Sequence, residues 1–358
     1  METLLLWISG FFSAILAFNF LIDSILLKFS TNLGMRTQKT EIRWASQQKP
    51  SLGGFGFYIT FLFSILTYVF FYNDMAFIHR KEFFGLIATC SLGFLMGLAD
   101  DAYNTRPYLK FFIQFSCAAI LIWSGIYIEI TPWVGFNHFI TMFWVVGLMN
   151  SINMLDNMDG ITGTTSLMIC IVSFIYLLLT DQLSSIYATL IVGMIAALMV
   201  FLHYNWHPSK MYMGDSGSQF LGIFLAIIGI KLFWNGIDFY DQPIQTKQFL
   251  SILLIFIVPI ADTTTVFINR IRKGKSPFIG GKDHTTHHLA YKGIKQRHVA
   301  LLLGSIGLIS GSLSILIIQK IQYWNFWHVT LFVVYYLSIT ISLYLTTRIK
   351  SKHGSRTI

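Results

Sequence analysis

The chain alternates eleven apolar runs with shorter polar segments. Each run approaches the ~20 residues that an α-helix needs to cross a bilayer. The first run is longer than the apolar part of a secretory signal and lacks a small-residue cleavage site, so we expect it to be retained. The pattern predicts an all-α, polytopic membrane protein, with residues 1–358 forming one membrane-embedded domain. The runs lie at about 3–27, 53–72, 83–99, 108–125, 138–153, 163–180, 184–203, 217–236, 249–268, 299–318 and 326–346.

Composition excludes an ordinary soluble protein. Hydrophobic residues make up 54% of the chain and charged residues only 11%, whereas soluble domains contain about 25% charged residues. The three cysteines, Cys90, Cys117 and Cys170, lie inside apolar runs without metal-ligand spacing, so we expect small core residues rather than disulfides or a zinc site. The net charge of +9 does not indicate a nucleic-acid partner, because no long basic run or RNA-binding motif is present.

The basic residues predict the orientation in the membrane. The loops after odd-numbered helices, together with the C-terminal tail, carry 20 of the 25 Lys and Arg residues. The positive-inside rule therefore predicts an outer N-terminus, a cytoplasmic C-terminus and odd-numbered connections on the cytoplasmic face. Acidic residues gather in the same loops, as in an enzyme that takes a water-soluble substrate from the cytoplasm, whereas a transporter would hold them at mid-membrane. The predicted active-site loops are 28–52, 100–108, 153–163, 203–217 and 269–298.

Asp100 and Asp101 end the third apolar run, and Arg106 and Lys110 follow them. Two adjacent carboxylates near hydrocarbon repel each other and require a cation, a basic partner or a chemical task. A helix that simply ends in solvent is the alternative interpretation. We favour a functional pair because ionisable residues at membrane depth are usually functional.

The first loop ends with Lys49, Pro50, Ser51 and Leu52, before Gly53 and Gly54. Glycine amides at a helix N-terminus, together with a lysine, form a common anion site. Pro and Gly before a helix are also ordinary turn residues, so both interpretations stay open.

Asn150, Asn153 and Asp156 recur every three residues, and Asp159 follows. If the segment is helical, these side chains share one face and place amides and carboxylates in a row. Such a row suits a uracil edge, a ribose or a metal-bound water. An Asx-rich turn before the next helix is the alternative.

Asp215 stands between Gly214 and Ser216 at the start of the eighth apolar run. An aspartate in this position can cap the helix. It can also bind Mg²⁺, which takes one or two protein carboxylates and completes its shell with water and phosphate oxygens. Sequence spacing does not separate these two roles.

The fifth of these loops is the longest and the most basic. His284, His287 and His288 are spaced for one face of a helical turn. Zinc is disfavoured because a closed site usually needs a fourth ligand, often cysteine. We expect a cationic cluster that contacts phosphates, beside Arg270, Arg272, Lys273 and Lys275. A solvated basic loop would explain the Lys and Arg residues but not the histidines.

Together these segments resemble the polyprenyl-phosphate N-acetylhexosamine-1-phosphate transferase superfamily, glycosyltransferase family 4, and in particular its undecaprenyl-phosphate N-acetylglucosamine-1-phosphate transferases. The resemblance rests on five motifs in order along nearly the whole chain. They are PSLGG at 50–54, GLADD at 97–101 with Lys110 and Gln114 downstream, NSINMLDNMDGITG at 150–163, MGDSGS at 213–218, and RKGKSPF at 272–278 followed by the histidines.

The resemblance implies transfer of a sugar-1-phosphate from a UDP-N-acetylhexosamine to undecaprenyl phosphate, with release of UMP and with Mg²⁺ or Mn²⁺ as cofactor. It also implies a location in the bacterial cytoplasmic membrane, with the active site on the cytoplasmic face. By similarity, Asp215 is the metal ligand, and Asp100 is a second candidate ligand. Asp100 and Asp101 position or deprotonate the lipid phosphate. A phosphate monoester is already largely ionised at neutral pH, so we expect this pair mainly to orient the acceptor.

The substrate-binding residues implied by the resemblance surround the two phosphate groups. Lys49 and Lys110 would attract the acceptor phosphate, and a row of polar residues would line the nucleotide side of the cleft. The basic loop would hold the sugar and the diphosphate. The two latter sets are Asn153, Asp156 and Asp159 for the nucleotide, and Arg270 or Arg272 with His284, His287 and His288 for the sugar and the diphosphate.

Two departures from the family pattern affect the choice of branch. The chain has His-Thr-Thr-His-His where the family has His-x-His-His or a His triplet, and its first loop lacks the usual His and Pro-x-Pro-like segment. The missing triplet favours the simpler N-acetylhexosamine branch over the phospho-N-acetylmuramoyl-pentapeptide transferase branch. A proton-coupled transporter of an anionic solute is the alternative from another class. The sequence leaves open the sugar, the glycan pathway and whether two copies form a homodimer.

Overall fold

The computed structural model describes residues 2–30, 49–72, 75–236, 244–276, 281 and 283–348. The middle of the predicted first loop, part of the last loop and the basic C-terminal tail lie outside the described residues. Within them, regular structure is helical except for one isolated bridge between Ser51 and Tyr212. The helices are α1 (Glu2–Phe29), α2 (Gly53–Tyr72), α3 (Met75–Ile78), α4 (Lys81–Tyr103), α5 (Pro107–Trp123), α6 (Val134–Leu155), α7 (Ile161–Leu179), α8 (Ile186–Asn205), α9 (Gly214–Ile228), α10 (Gln245–Ile255), α11 (Ile257–Arg272), α12 (Thr285–Tyr291), α13 (Gln296–Lys320) and α14 (Phe326–Thr346), with a π-helix at Gly229–Trp234 that continues α9.

The prediction of an all-α, polytopic membrane protein is confirmed. Among the described residues, nine helices are long and apolar enough to cross a membrane, and every predicted run is helical. Two of the predicted spans differ from a simple membrane helix. The fourth is α5, which has only 17 residues. The ninth is broken into α10 and α11, which meet at 78°.

Pro259 accounts for the break between α10 and α11. In a continuous helix, its ring would clash with the carbonyl of Ile255, four residues earlier, and it lacks an amide hydrogen. In the observed structure Pro259 lies in the first turn of α11, where backbone amides have no partner inside the helix. The new helix therefore begins at Ile257 without losing a hydrogen bond at the proline.

The span formed by α9 and the π-helix is the centre of the molecule. In the most apolar stretch of this span, 94% of the residues are buried inside the molecule, compared with 11% in α14. Glycines let neighbouring backbones approach it closely, as is common between membrane helices. A Cβ on Gly97 of α4 would lie 2.1 Å from the carbonyl oxygen of Asp215, and one on Gly222 would lie 2.6 Å from Cα of Met149 in α6. Helices α2, α4 and α6 pack against α9, and α10 packs against the π-helix.

Alternate connections meet at the same end of the helices. At one end, Asp101 in the last turn of α4 contacts the start of α9, and Arg297 in the first turn of α13 donates a hydrogen bond to the carbonyl oxygen of His207. At the other end, Lys231 pairs with Glu82. The loops that were predicted to carry the chemistry therefore share one end of the bundle, as far as the structure describes them.

Candidate active site

Asp100 forms an ion pair with Lys110 at the junction between α4 and α5. Asn104 adopts a left-handed conformation, with φ 51°, which reverses the chain after α4. The carboxylate of Asp100 accepts hydrogen bonds from the backbone N–H and the hydroxyl of Thr105, both at 2.8 Å, and contacts the Lys110 ammonium. Asp100 is only 3% exposed, so the ion pair is fixed at the edge of the bundle.

Asp101 caps the N-terminus of α9 from a different helix. Its two carboxylate oxygens accept hydrogen bonds from the backbone N–H groups of Asp215 and Ser216, each at 2.9 Å. A carboxylate at this position satisfies free amides and interacts favourably with the helix dipole. Gly214 has a φ of 77°, and a Cβ there would lie 2.7 Å from Oδ2 of Asp101. The sequence GDS therefore brings the helix start close to α4.

The carboxylate of Asp215 makes no capping bond to its own helix. Its Oδ1 instead accepts a hydrogen bond of 2.7 Å from Nδ2 of Asn153, which also donates to Ser218. The side chain interacts directly with that of Asp100. The capping interpretation of Asp215 is therefore wrong, because Asp101 has taken that position.

The contact between Asp100 and Asp215 has the chemistry of a hard-cation site. Two carboxylates that share one lysine retain excess negative charge, which a divalent cation or a shared proton offsets. No group of three or more acidic, His or Cys side chains forms a metal-binding cluster in the described ranges. Mg²⁺ does not require one, since it is usually held by one or two carboxylates with water and substrate phosphates.

The predicted polar row along α6 is wrong beyond Asn153. The helix ends at Leu155, and the Asx-rich segment that follows forms a turn, which these residues favour. Asp156 stands at the end of the helix, and the carboxylate of Asp159 faces another segment. It accepts hydrogen bonds from the backbone N–H and the hydroxyl of Ser209, at 3.1 and 2.8 Å, and contacts Nδ1 of His207 at 3.0 Å.

Lys49 contacts the group around Asp159. Its ammonium donates a hydrogen bond of 3.1 Å to the hydroxyl of Ser209 and lies 5.4 Å from the centre of the Tyr212 ring. Lys110 contacts Asp100 instead. The two lysines predicted to attract one phosphate therefore have different partners, Ser209 for Lys49 and Asp100 for Lys110.

Gly53 and Gly54 do not form the anticipated anion site. Their backbone amides donate to the carbonyl oxygens of Tyr212 and Met213, each at 3.1 Å. A Cβ on Gly54 would lie 2.5 Å from the backbone nitrogen of Gly217. These glycines are needed for the close approach of α2 to α9, and the anion interpretation is wrong for their amides.

Arg270 and Arg272 differ in their surroundings. Arg270 is 4% exposed and donates two hydrogen bonds to Asp283, from Nε at 2.8 Å and from Nη2 at 2.7 Å. Burial raises the pKa of Asp283, but the hydrogen bonds and charge of Arg270 outweigh it and hold that pKa below its ordinary value. Arg272 is exposed and donates to the hydroxyl of Tyr344. Arg270 thus anchors the basic loop.

The three histidines do not form one cationic face. α12 begins at Thr285, so His284 precedes it, and its Nδ1 contacts Oδ2 of Asp262 at 2.8 Å. His287 is fully buried, with its ring 5.5 Å from that of His284. Burial and the charge of His284 lower the pKa of His287 to about 4, so it is neutral at neutral pH. Burial also lowers the pKa of His288, which is half-buried.

Several residues that shape this region were not among the predicted site residues. Asp262 holds His284 and accepts the backbone N–H of Thr285, and an acidic residue in an apolar helix was the signal for it. His207 and Ser209 had no local signal, because their partner is Asp159. The turn after α6 connects the groups, since the hydroxyl of Thr286 donates to Oδ1 of Asn157 at 2.6 Å.

Residues 83–233, which include the carboxylates of α4 and α9 and the turn after α6, match the family model described as glycosyl transferase family 4. This part of the chain is similar to glycosyl transferase family 4. The matched part begins in α4 and ends in the π-helix.

Curated relatives extend the match beyond that segment. The chain is 24% identical over 330 residues to the probable undecaprenyl-phosphate N-acetylglucosaminyl 1-phosphate transferase of Bacillus subtilis. This alignment covers 89% of this chain and 86% of that protein. It is 28% identical to the decaprenyl-phosphate N-acetylglucosaminephosphotransferase of Mycobacterium leprae, over 71% of this chain and 69% of that protein. It is 27% identical to the phospho-N-acetylmuramoyl-pentapeptide-transferase of Dictyoglomus thermophilum, over 82% of this chain and 98% of that protein.

Proposed function

We propose that this chain transfers an N-acetylhexosamine-1-phosphate, most simply N-acetylglucosamine-1-phosphate, from a UDP-sugar to undecaprenyl phosphate and releases UMP. This would be the first membrane step in the synthesis of a cell-surface polysaccharide. The observation that carries the proposal is the convergence of Lys110, Asp100, Asp215 and Asn153 at one end of four helices. The names of the relatives support the same reaction class.

In the proposed reaction, an oxygen of the acceptor phosphate attacks the phosphorus attached to the sugar. A new P–O bond forms, the bond to the bridging oxygen of the diphosphate breaks, and UMP leaves with the electron pair. Such phosphoryl transfers depend mainly on positioning and charge neutralisation. Lys110 would attract the acceptor phosphate, and Asp100 would hold the Lys110 ammonium in place.

The carboxylates of Asp215 and Asp100 would hold Mg²⁺, for which Mn²⁺ is a reasonable substitute. When bound, this cation would neutralise charge on the diphosphate of the donor. Asn153 orients Asp215 through its 2.7 Å hydrogen bond. Asp101 supports the site indirectly by fixing the start of α9, which carries Asp215.

The donor would lie against the turn after α6 and the short helix α12. Asp156, at the end of α6, and His288, which is half-buried, are the candidates for direct contact. Asp159, Arg270 and His284 are held by contacts with other segments and would shape the cleft. The excess of basic residues at this end of the bundle supports a cytoplasmic location for the site, in a multi-pass bacterial membrane protein.

A second candidate is transfer of phospho-N-acetylmuramoyl-pentapeptide, as the name of the Dictyoglomus relative indicates. A transporter is less well supported. Its broken helices should carry ionisable residues at the break, whereas the break between α10 and α11 is formed by Ile255, Phe256 and Ile257.

The test incubates the purified protein with undecaprenyl phosphate, Mg²⁺ and a panel of UDP-sugars, and measures UMP. We expect UMP from a UDP-N-acetylhexosamine only when the lipid is present. UMP from UDP-N-acetylmuramoyl-pentapeptide alone would support the second candidate. No UMP from any donor would contradict the proposed function and favour transport.

A further inference from the structure

Gln114 is the one polar residue in the buried stripe of α5. The stripe consists of Gln114, Cys117, Ala118 and Leu121, at helical spacing. Much of the rest of α5 is exposed, including Tyr108 and Phe112, as expected for a helix that faces lipid. Lipid tails are as apolar as these side chains, so packing and hydrogen bonds must determine how such a helix is rotated.

A chain of side-chain amides crosses three helices at this point. Nδ2 of Asn150 in α6 donates to Oε1 of Gln114 at 2.7 Å. Nε2 of Gln114 then donates to Oε1 of Gln219 in α9 at 3.1 Å. Gln114 is fully buried and Gln219 is 2% exposed. Hydrogen bonds of this kind fix the distance and the direction between helices, which apolar contacts alone do not.

Each amide lies one helical turn deeper than a residue of the candidate active site. Gln114 follows Lys110 by four residues, Gln219 follows Asp215 by four, and Asn150 precedes Asn153 by three. Residues at these spacings share a helix face, separated by about 5 to 6 Å. The amide chain and the active-site group therefore lie on the same faces of the same helices.

We propose that Gln114 is a positioning residue: its amide, held between Asn150 and Gln219, fixes the rotation of α5 and so keeps Lys110 on Asp100. Lys110 lies in the first turn of α5, one helical turn before Gln114, and its ammonium pairs with the carboxylate of Asp100. The functional part of this inference rests on the proposed function, in which Lys110 attracts the acceptor phosphate.

Gln114→Met tests the inference, because it removes both hydrogen bonds while keeping an unbranched side chain of similar length. The matched control is Gln248→Met. Gln248 of α10 is also a buried glutamine, 5% exposed, but it donates to the carbonyl oxygen of Gly236 at the opposite end of the bundle. Asn150→Leu removes the donor at the other end of the amide chain and serves as a second variant if Gln114→Met does not fold.

The first readout is kinetic. Small displacements of positioning groups can reduce rates by about 100-fold, so we expect Gln114→Met to reduce kcat/KM for undecaprenyl phosphate by roughly 10- to 100-fold. The KM for the UDP-sugar should stay within about twofold of the wild type. In a Lys110→Gln background, the same change should have little further effect. An equal loss in both backgrounds, or in Gln248→Met, would overturn the inference.

The second readout does not require activity. Lys110 is labelled with an amine-reactive reagent and measured by peptide mass spectrometry, with Lys49 as an internal reference. We expect labelling of Lys110, relative to Lys49, to increase several-fold in Gln114→Met and not to increase in Gln248→Met. Unchanged labelling would overturn the positioning role. Increased labelling in a protein that releases no UMP from any donor would uphold the positioning role while the proposed function fails.

Discussion

Asp215 and Asp100 are two carboxylates in direct contact, although like charges repel. Lys110 pairs with Asp100, and Asn153 donates to Asp215. This arrangement retains negative charge where the proposed donor diphosphate would bring more. A bound divalent cation would offset both negative charges, so we expect loss of charge to matter most at Asp215.

Asp215→Asn should therefore reduce kcat by roughly 100-fold or more, the size of effect seen when one electrostatic contact in an active site is lost. The same change at Asp181, an exposed residue in a left-handed conformation that asparagine tolerates, is the control. Both are measured by UMP release at saturating Mg²⁺. Equal activity of the two variants would exclude Asp215 from the reaction.

His287 gives a prediction about pH. Its pKa is about 4 in the folded chain, compared with 6.5 ordinarily. Between these values the unfolded chain binds more protons, so stability falls as pH decreases. The full pKa difference corresponds to about 3 kcal/mol in the free energy of unfolding. This contribution is present above pH ~6.5 and lost by pH ~4.

Thermal unfolding in detergent between pH 7 and 4.5 measures this effect. We expect the melting temperature of the wild type to decrease more steeply than that of His287→Asn. His298→Asn, which removes an exposed imidazole, should behave as the wild type. Parallel curves for the wild type and His287→Asn would show that His287 is not buried in its neutral form.

At the scale of elements, the helices could be predicted from sequence because apolar runs are local signals. Their ends and the partners of polar residues could not. Asp101 and Asp215 are 114 positions apart, and no spacing rule reveals that one caps the helix carrying the other. The same holds for Asp262 with His284 and for Lys49 with Ser209. Histidines at helical spacing were misread because α12 begins only after His284.

Close packing of α4 on α9 gives a prediction at this scale. Gly97→Ala should move the two helices apart, because its Cβ would lie 2.1 Å from the carbonyl oxygen of Asp215. We expect a loss of activity of at least 10-fold, since displacement of active-site groups is costly, and a lower melting temperature.

Gly147→Ala in α6 is the matched control, since a Cβ there would meet nothing within 4 Å. It should keep the activity and the melting temperature of the wild type. If Gly97→Ala matched Gly147→Ala in both measurements, the approach of α4 to α9 would be looser than the structure indicates.

At the scale of the whole molecule, the fold gathers polar groups at one end of an apolar bundle. The central span of α9 is buried by its neighbours, and the Asp101 cap fixes its first turn beside α4. A lipid-linked acceptor can reach this end along the membrane and a nucleotide-sugar from water. The fold therefore suits a reaction between a membrane-bound and a soluble substrate.

In the proposed reaction, the sugar moves to the lipid together with its phosphate. The direct measurement uses a UDP-N-acetylhexosamine with ³²P in the phosphate next to the sugar, and separates lipid from aqueous products. We expect ³²P in the lipid fraction and unlabelled UMP in water, both dependent on undecaprenyl phosphate. Release of labelled UDP, with no ³²P in the lipid, would contradict it.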